Sequence, residues 1–196
     1  MKPYLLLLSG LLGGANPGLF GSGIDATATY TDSLVAPGVF QYDLTLNNTG
    51  TTKIGAFWFS WVPGAGFMSV TPTDVASPTG WKDTVTNGGA SILWTAPTAD
   101  RLAAGDSISG FEFDSTLTPA ELQMDFTGSG IGSGDPVTTS FVYVGIPLLS
   151  RGDKIVASPA VASTPEPTTT LSAALGFGLI VFSSHLLRRR KKFQEL

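Results

Sequence analysis

Three short stretches of this chain bring together residue types that could do chemistry. In Gly110-Phe111-Glu112-Phe113-Asp114 the two carboxylates stand two residues apart, and in an extended strand that spacing turns both to the same side. Two carboxylates on one face could serve glycoside hydrolysis, one as acid and the other as base or nucleophile. Phe111 and Phe113 fill the alternate positions, so the same pattern describes a half-buried strand whose acids face solvent, and no catalytic residue is assigned from it. The run Gly128-Ser129-Gly130-Ile131-Gly132-Ser133-Gly134-Asp135-Pro136 has enough glycine to wrap a phosphate. It lacks the dinucleotide fingerprint and the Gly-Lys-Ser/Thr of a P-loop, and it leads into a β pattern rather than a helix, so a flexible inter-strand loop is expected. Asp100, Asp106 and Asp135 could contribute to a calcium site, but neither EF-hand nor nonapeptide spacing is present. No metal is expected.

The third stretch is Phe57-Trp58-Phe59-Ser60-Trp61. In an unbroken strand Phe57, Phe59 and Trp61 share one face, and Trp58 lies on the other between Ala56 and Ser60. An exposed Trp58 beside small residues would make a stacking platform for a sugar ring. The expected arrangement is instead that both faces are covered, one by an opposing sheet and one by a loop such as Val62 to Thr79, because large aromatics are usually well buried.

Composition narrows the chemistry further. The 196 residues include no Cys and one His, which removes disulfides, thiolate zinc sites and Cys nucleophiles. His185 lies in an apolar C-terminal segment, three residues before a run of arginines, where a neutral interfacial imidazole is expected. The rest of the chain therefore has no His base. The formal net charge is −4, but five cations against twelve acids leave −7 over residues 29–163. A body of that sign repels phosphate backbones and is not expected to bind nucleic acid. No cofactor is implied.

The elements that would position these residues are short strands. Candidates are Phe40–Asn47, Lys53–Val62, Trp81–Thr86, Ala90–Thr95, Ser107–Ser115, Glu121–Phe126 and Thr138–Ile146, with Tyr42, Leu44 and Leu46 alternating with polar neighbours as a half-buried strand requires. Asn47-Asn48-Thr49-Gly50 and Asn87-Gly88-Gly89 supply residues that tolerate left-handed backbone and read as hairpins or tight connections. Seven or so such strands predict an all-β fold, an antiparallel β-sandwich, with a small barrel as the alternative. Leu44-Thr45-Leu46-Asn47-Asn48-Thr49-Gly50 and Leu102-Ala103-Ala104-Gly105-Asp106-Ser107-Ile108-Ser109-Gly110-Phe111 resemble turns of immunoglobulin-like bacterial surface domains, which implies an immunoglobulin-like sandwich.

Both ends of the chain read as targeting segments. Lys2 precedes the apolar run Leu5 to Leu8, Leu11 and Leu12, and Ala26-Thr27-Ala28 offers a small-residue cleavage pattern; residues 1–28 are read as a signal peptide for the Sec translocon. The body is read as 29–155 and a linker with Pro165-Glu166-Pro167 as 156–167. Residues 168–196 are read as a single transmembrane helix with a basic cytoplasmic tail. From Leu171 to Leu187 the chain is apolar or small but for Ser and His185, about 26 Å at helical rise. The cluster Arg188, Arg189, Arg190, Lys191 and Lys192 would stay cytoplasmic.

Pro-Glu-Pro, a short apolar segment and terminal arginines, in that order, resemble the PEP-CTERM sorting signal of exported bacterial proteins. The match rests on Pro165, Glu166, Pro167, Arg188, Arg189 and Arg190. The resemblance implies recognition by a membrane-embedded exosortase that cleaves near the motif. It also implies passage through the inner membrane to the cell surface or the extracellular polysaccharide matrix. A non-enzymatic, structural or adhesive body is the leading expectation. A carbohydrate-binding module using Trp58, or a carbohydrate-active enzyme, is the alternative.

Overall fold

Two long strands open the fold, and their burial alternates as their sequences do. The structure, a computed structural model, describes residues 23–161. Strand β1 (Ala26–Ala36) buries Ala26, Ala28 and Tyr30, and β2 (Val39–Asn48) buries Tyr42, Leu44 and Leu46 opposite them. Pro37 and Gly38 turn the chain between them, Gly38 at φ 73°, a conformation that costs glycine little. The chain continues through β3 (Ala56–Phe59), β4 (Trp61–Val62), β5 (Ala65–Gly66), β6 (Thr73–Ala76), β7 (Lys82–Thr86), β8 (Ser91–Thr95) and β9 (Ser107–Ser115). A one-turn helix α1 (Pro119–Leu122), β10 (Thr139–Tyr143) and β11 (Gly152–Pro159) complete it.

Nine strands form one sheet in the order β6-β9-β2-β1-β11-β10-β3-β8-β7, while β4 and β5 make a separate small hairpin. The expected sandwich of two independent sheets is therefore one mostly antiparallel sheet, curled until it is nearly a barrel. Its seam is β11: residues 152–156 pair antiparallel with β10, and Ala157–Pro159 pair parallel with β1. The two halves face each other across an aromatic core. Phe57 meets Phe111 edge-on at 5.4 Å between ring centroids, Phe59 meets Phe113 at 5.2 Å, and Trp81 and Trp94 flank Phe111 at 5.1 and 5.3 Å. Such pairs contribute about 0.5–1.5 kcal/mol each beyond the area they bury.

Several expected elements differ. The strand expected at Glu121–Phe126 is α1 followed by turns, because Thr118 and Glu121 form a capping box and Pro119 occupies the first turn. Asn47 to Gly50 does not close a hairpin: β2 pairs with β1 and β9, and the segment crosses to the other half of the sheet. Asn87-Gly88-Gly89 does join a hairpin, between β7 and β8. The boundaries at 28 and 156 both fall inside strands. Ile24, Ala26 and Ala28 are buried, and β11 runs to Pro159 with Ile155 and Ala157 inside, so the body reaches beyond 29–155 at each end. Among the described residues no helix is long and apolar enough to cross a membrane; the expected span Leu171–Leu187 lies outside them.

Candidate functional site

The outer face of β3 and β10 carries the most distinctive side-chain arrangement. Alternation along β3 sends Phe57 and Phe59 into the main core and Ala56 and Trp58 outward. Across the ladder, Leu93 of β8 and Phe141 of β10 stand beside Trp58, and Tyr143 stands beside Ala56. The strand expected over Lys53–Val62 breaks at Ser60, whose φ is 57°. That left-handed step turns Trp61 away from the face of Phe57 and Phe59. It places Trp61 on Trp58, ring centroids 3.7 Å apart and planes 5° from parallel.

Trp58 is consequently only 9% exposed. Its Nε1 donates to Thr86 Oγ1 at 2.9 Å and to Ser91 Oγ at 3.3 Å, and Asn87 Nδ2 donates to the same Ser91 hydroxyl at 2.7 Å. The expectation that Trp58 is covered holds, but the covering group is Trp61, from the residue run itself. A sugar ring could reach Trp58 only where Trp61 now lies. Phe141 and Tyr143 close the cluster, at 6.1 and 6.4 Å from the Trp61 ring. Burial raises the Tyr143 hydroxyl pKa, and a hydrogen bond from the Leu148 backbone partly offsets this.

The remaining candidates are dispersed. Glu112 and Asp114 do share the outer face of β9, where Asp43 and Gln41 of β2 lie opposite them and β6 lies on the other side. Phe111 and Phe113 are fully buried behind, so the pair is the polar side of a strand in the middle of that half-sheet. The glycine-rich run is held by hydrogen bonds at its neck, Phe126 N to Asp135 O at 2.7 Å and Gly134 N to Phe126 O at 3.1 Å. Gly132 lies so close to Phe67 that a Cβ there would stand 2.3 Å from the ring. The run is the inter-strand loop expected, joined at its neck by these bonds and packed on Phe67 at Gly132.

Asp135 forms an ion pair with Lys154 at 3.1 Å. Asp100 and Asp106 instead line an open cleft of about 470 Å³ with Lys53 and Arg101. Sequence spacing gave no sign of that cleft, since Lys53 is far along the chain from the rest and the Ile54–Leu102 bridge brings them together. Among the described residues no group of three or more His, Asp or Glu is placed to hold a metal. Pro165, Glu166, Pro167, Arg188, Arg189, Arg190 and His185 lie outside the described residues.

No family model matches the chain, and no curated protein matches it either. Among solved structures, a GH20 exo β-N-acetylglucosaminidase from Vibrio harveyi, in complex with N-acetylglucosamine, aligns with TM-score 0.41 and 14% identity. The alignment covers 72% of this chain and 19% of that one. This chain thus matches about a fifth of that enzyme's length. The solution structure of the chitin-binding domain of Chi18aC from Streptomyces coelicolor aligns with TM-score 0.32 and 31% identity, over 45% of this chain and 77% of that one. TM-scores of this size assign neither fold family nor ligand.

Proposed function

We propose that this chain is an exported protein whose β-body reaches the cell surface or the extracellular polysaccharide matrix after an exosortase recognises its tail. The reading rests on one observation: Pro165-Glu166-Pro167, the apolar run to Leu187 and Arg188 to Arg190 follow one another in the order of a PEP-CTERM signal. The body's architecture is compatible with cutting at that point. The last described strand ends at Pro159, and residues 160–164 separate it from the motif, so cleavage near Pro165 spares every strand among the described residues. The apolar run and basic flank would hold the precursor in the inner membrane with the body outside.

The role proposed for the body is structural or adhesive, and not catalytic. The acid pair stands on the outer face of β9 beside Asp43 and Gln41, and the aromatic platform that Trp58 would offer is occupied by Trp61. At a finer level, strand pairing supports an immunoglobulin-like reading: β1, β2 and β9 run as strands A, B and E do, and β11, β10 and β3 as G, F and C do. The departure is β6, which pairs with β9 yet precedes β7 and β8 in the chain.

Replacing Pro165, Glu166 and Pro167 together by Ala tests the sorting role. Insertion depends on the apolar run and basic flank, so the variant should accumulate in the membrane as a full-length precursor. Processing at the wild-type rate would reduce the motif to a linker.

A further inference from the structure

We propose that Asn87 is a site of spontaneous covalent change, at which the side-chain amide condenses onto the Gly88 nitrogen and is converted to isoaspartate, releasing the anchor of the Trp58–Trp61 stack. Asn87-Gly88 is the one Asn-Gly pair in the sequence, and glycine, with no Cβ, is the following residue that obstructs such a ring closure least. Both residues are exposed, and a Cβ placed on Gly88 would meet nothing within 4 Å. The other asparagines lack these conditions. Asn16 precedes Pro17, whose nitrogen carries no hydrogen. Asn47 is half-buried, is followed by Asn48, and has its side chain bonded to Thr27 and Ser107. Asn48 is buried, and its amide nitrogen donates to the backbone carbonyls of Thr52, Leu102 and Ala103.

The chemistry needs only water. Gly88 N forms a bond to Asn87 Cγ, the Cγ–Nδ2 bond breaks, and Nδ2 leaves as ammonia with the proton that the Gly88 nitrogen gives up. Water then opens the cyclic imide at one of its two carbonyls. Opening at Cγ gives aspartate. Opening at the backbone carbonyl carbon leaves the chain running through Cβ and Cγ, which is isoaspartate, with one more atom in the backbone. Ring closure requires Asn87 to leave the left-handed backbone it holds at φ 53° and to give up the bond from its Nδ2 to Ser91. The position of the turn permits this, because it joins β7 to β8 and β7 is the last strand of the sheet, with β8 as its ladder partner and Lys82 to Val85 exposed. A strand held along one side opens at a lower free energy than the core strands.

Asn87 bears on the fold through Ser91. The Ser91 hydroxyl is fully buried, and it accepts from Asn87 Nδ2 at 2.7 Å and from Trp58 Nε1 at 3.3 Å. These two bonds use both of its lone pairs, so its own proton goes to Thr86 Oγ1, 2.8 Å away. Thr86 Oγ1 also accepts from Trp58 Nε1 at 2.9 Å, which closes one network beneath the tryptophan stack. Aspartate at position 87 fits this network, since the Ser91 hydroxyl can turn to donate to the carboxylate and the Thr86 hydroxyl can turn to donate to Ser91. Isoaspartate does not fit. Thr86 and Ser91 are paired across the hairpin, and an added backbone atom between them shifts their pairing and carries the carboxylate away from Ser91.

Peptide mapping of the full-length protein, held folded at mildly alkaline pH, tests this. Trypsin releases the fragment Asp83 to Arg101, which contains Asn87 as its one asparagine and no glutamine, so a deamidation mass gain there belongs to Asn87. The gain should grow with time in this fragment and be absent from the fragment that holds Asn47 and Asn48, and isoaspartyl methyltransferase should label the altered protein. Near-UV circular dichroism, which reads the packing of Trp58 on Trp61, should fall as the labelled fraction rises. Asn87→Gln should abolish the mass gain, and Asn87→Asp should keep the wild-type dichroism. A fragment that stays unchanged in the folded protein would overturn the site. Isoaspartate with unchanged dichroism would overturn its link to the stack, and an Asn87→Asp protein that loses the dichroism as fully would overturn the backbone account of that link. None of these readouts depends on exosortase processing, so the surface-sorting reading can fail without deciding this one.

Discussion

Trp61 lies face to face on Trp58, with the indole of Trp58 anchored by Thr86 and Ser91 beneath the pair. The two are three positions apart in sequence, an odd offset that would put them on opposite faces of an unbroken strand. The left-handed backbone at Ser60 brings them together. The outward face of β3 is thereby sealed by its own chain, and its aromatics belong to a second, smaller core.

Truncating Trp58 should therefore unfold the protein instead of merely removing a binding surface. Trp58→Ala deletes the stack and leaves the Thr86 and Ser91 hydroxyls without their indole donor, with an expected loss of about 3–5 kcal/mol. Phe59→Ala, in the main core, should cost about as much. Denaturant titrations followed by near-UV circular dichroism compare the two. A Trp58→Ala protein of wild-type stability that has lost affinity for a matrix polysaccharide would favour the carbohydrate-binding alternative.

The mature protein should begin at or before Ile24. Ile24, Ala26 and Ala28 are buried, and Asp25 O accepts hydrogen bonds from Thr49 N and Gly50 N. A cut after Ala28 would strip these contacts from the first strand. N-terminal sequencing of exported protein checks this, and a start at Thr29 would count against it.

Stability should fall as pH rises from about 10. Burial raises the pKa of Tyr42, with the Asp32 charge adding to it, and burial likewise raises Tyr30 and Tyr143 above the ordinary 10.0. The unfolded chain then releases protons that the folded one retains, so stabilisation present below pH 10 is lost through the alkaline range. Tyrosinate absorbance and unfolding should rise together. Tyrosines that ionise near pH 10 in a still folded protein would contradict this assignment.

Glu112 faces Asp43 directly across the β2–β9 ladder, and like charges in that position repel. Glu112→Gln should raise stability by about 0.2–1 kcal/mol, with the gain shrinking in high salt. Thermal melts at two salt concentrations measure it. A loss of stability would mean that Glu112 has a favourable partner and that the acid pair has a role beyond facing solvent.

Most strands were legible because their burial alternates in the sequence: Tyr42, Leu44 and Leu46 in β2, and Phe111 and Phe113 in β9. The first and last strands were not. Ala26-Thr27-Ala28 has the small residues of a cleavage site, and Val156-Ala157-Ser158-Pro159 the composition of a linker; each becomes a strand by pairing with the other end of the chain, which no local pattern records. Helix α1 could have been read from Thr118-Pro119-Ala120-Glu121, a capping signal outweighed by the β context around it. The partner of Trp58 was hidden by a single torsion at Ser60, a residue type that rarely adopts it. At the candidate site the aromatic run and the burial of Trp58 were legible in the sequence, but the group that covers it was not.

Intact-mass spectrometry of the protein recovered from the surface of exosortase-bearing cells tests the central claim most directly. The account predicts a chain that retains β1 through β11 and ends near Pro165-Glu166-Pro167, without Leu171 to Leu196. A surface protein whose mass still includes Arg188 to Lys192 would contradict exosortase release and make the tail a permanent anchor.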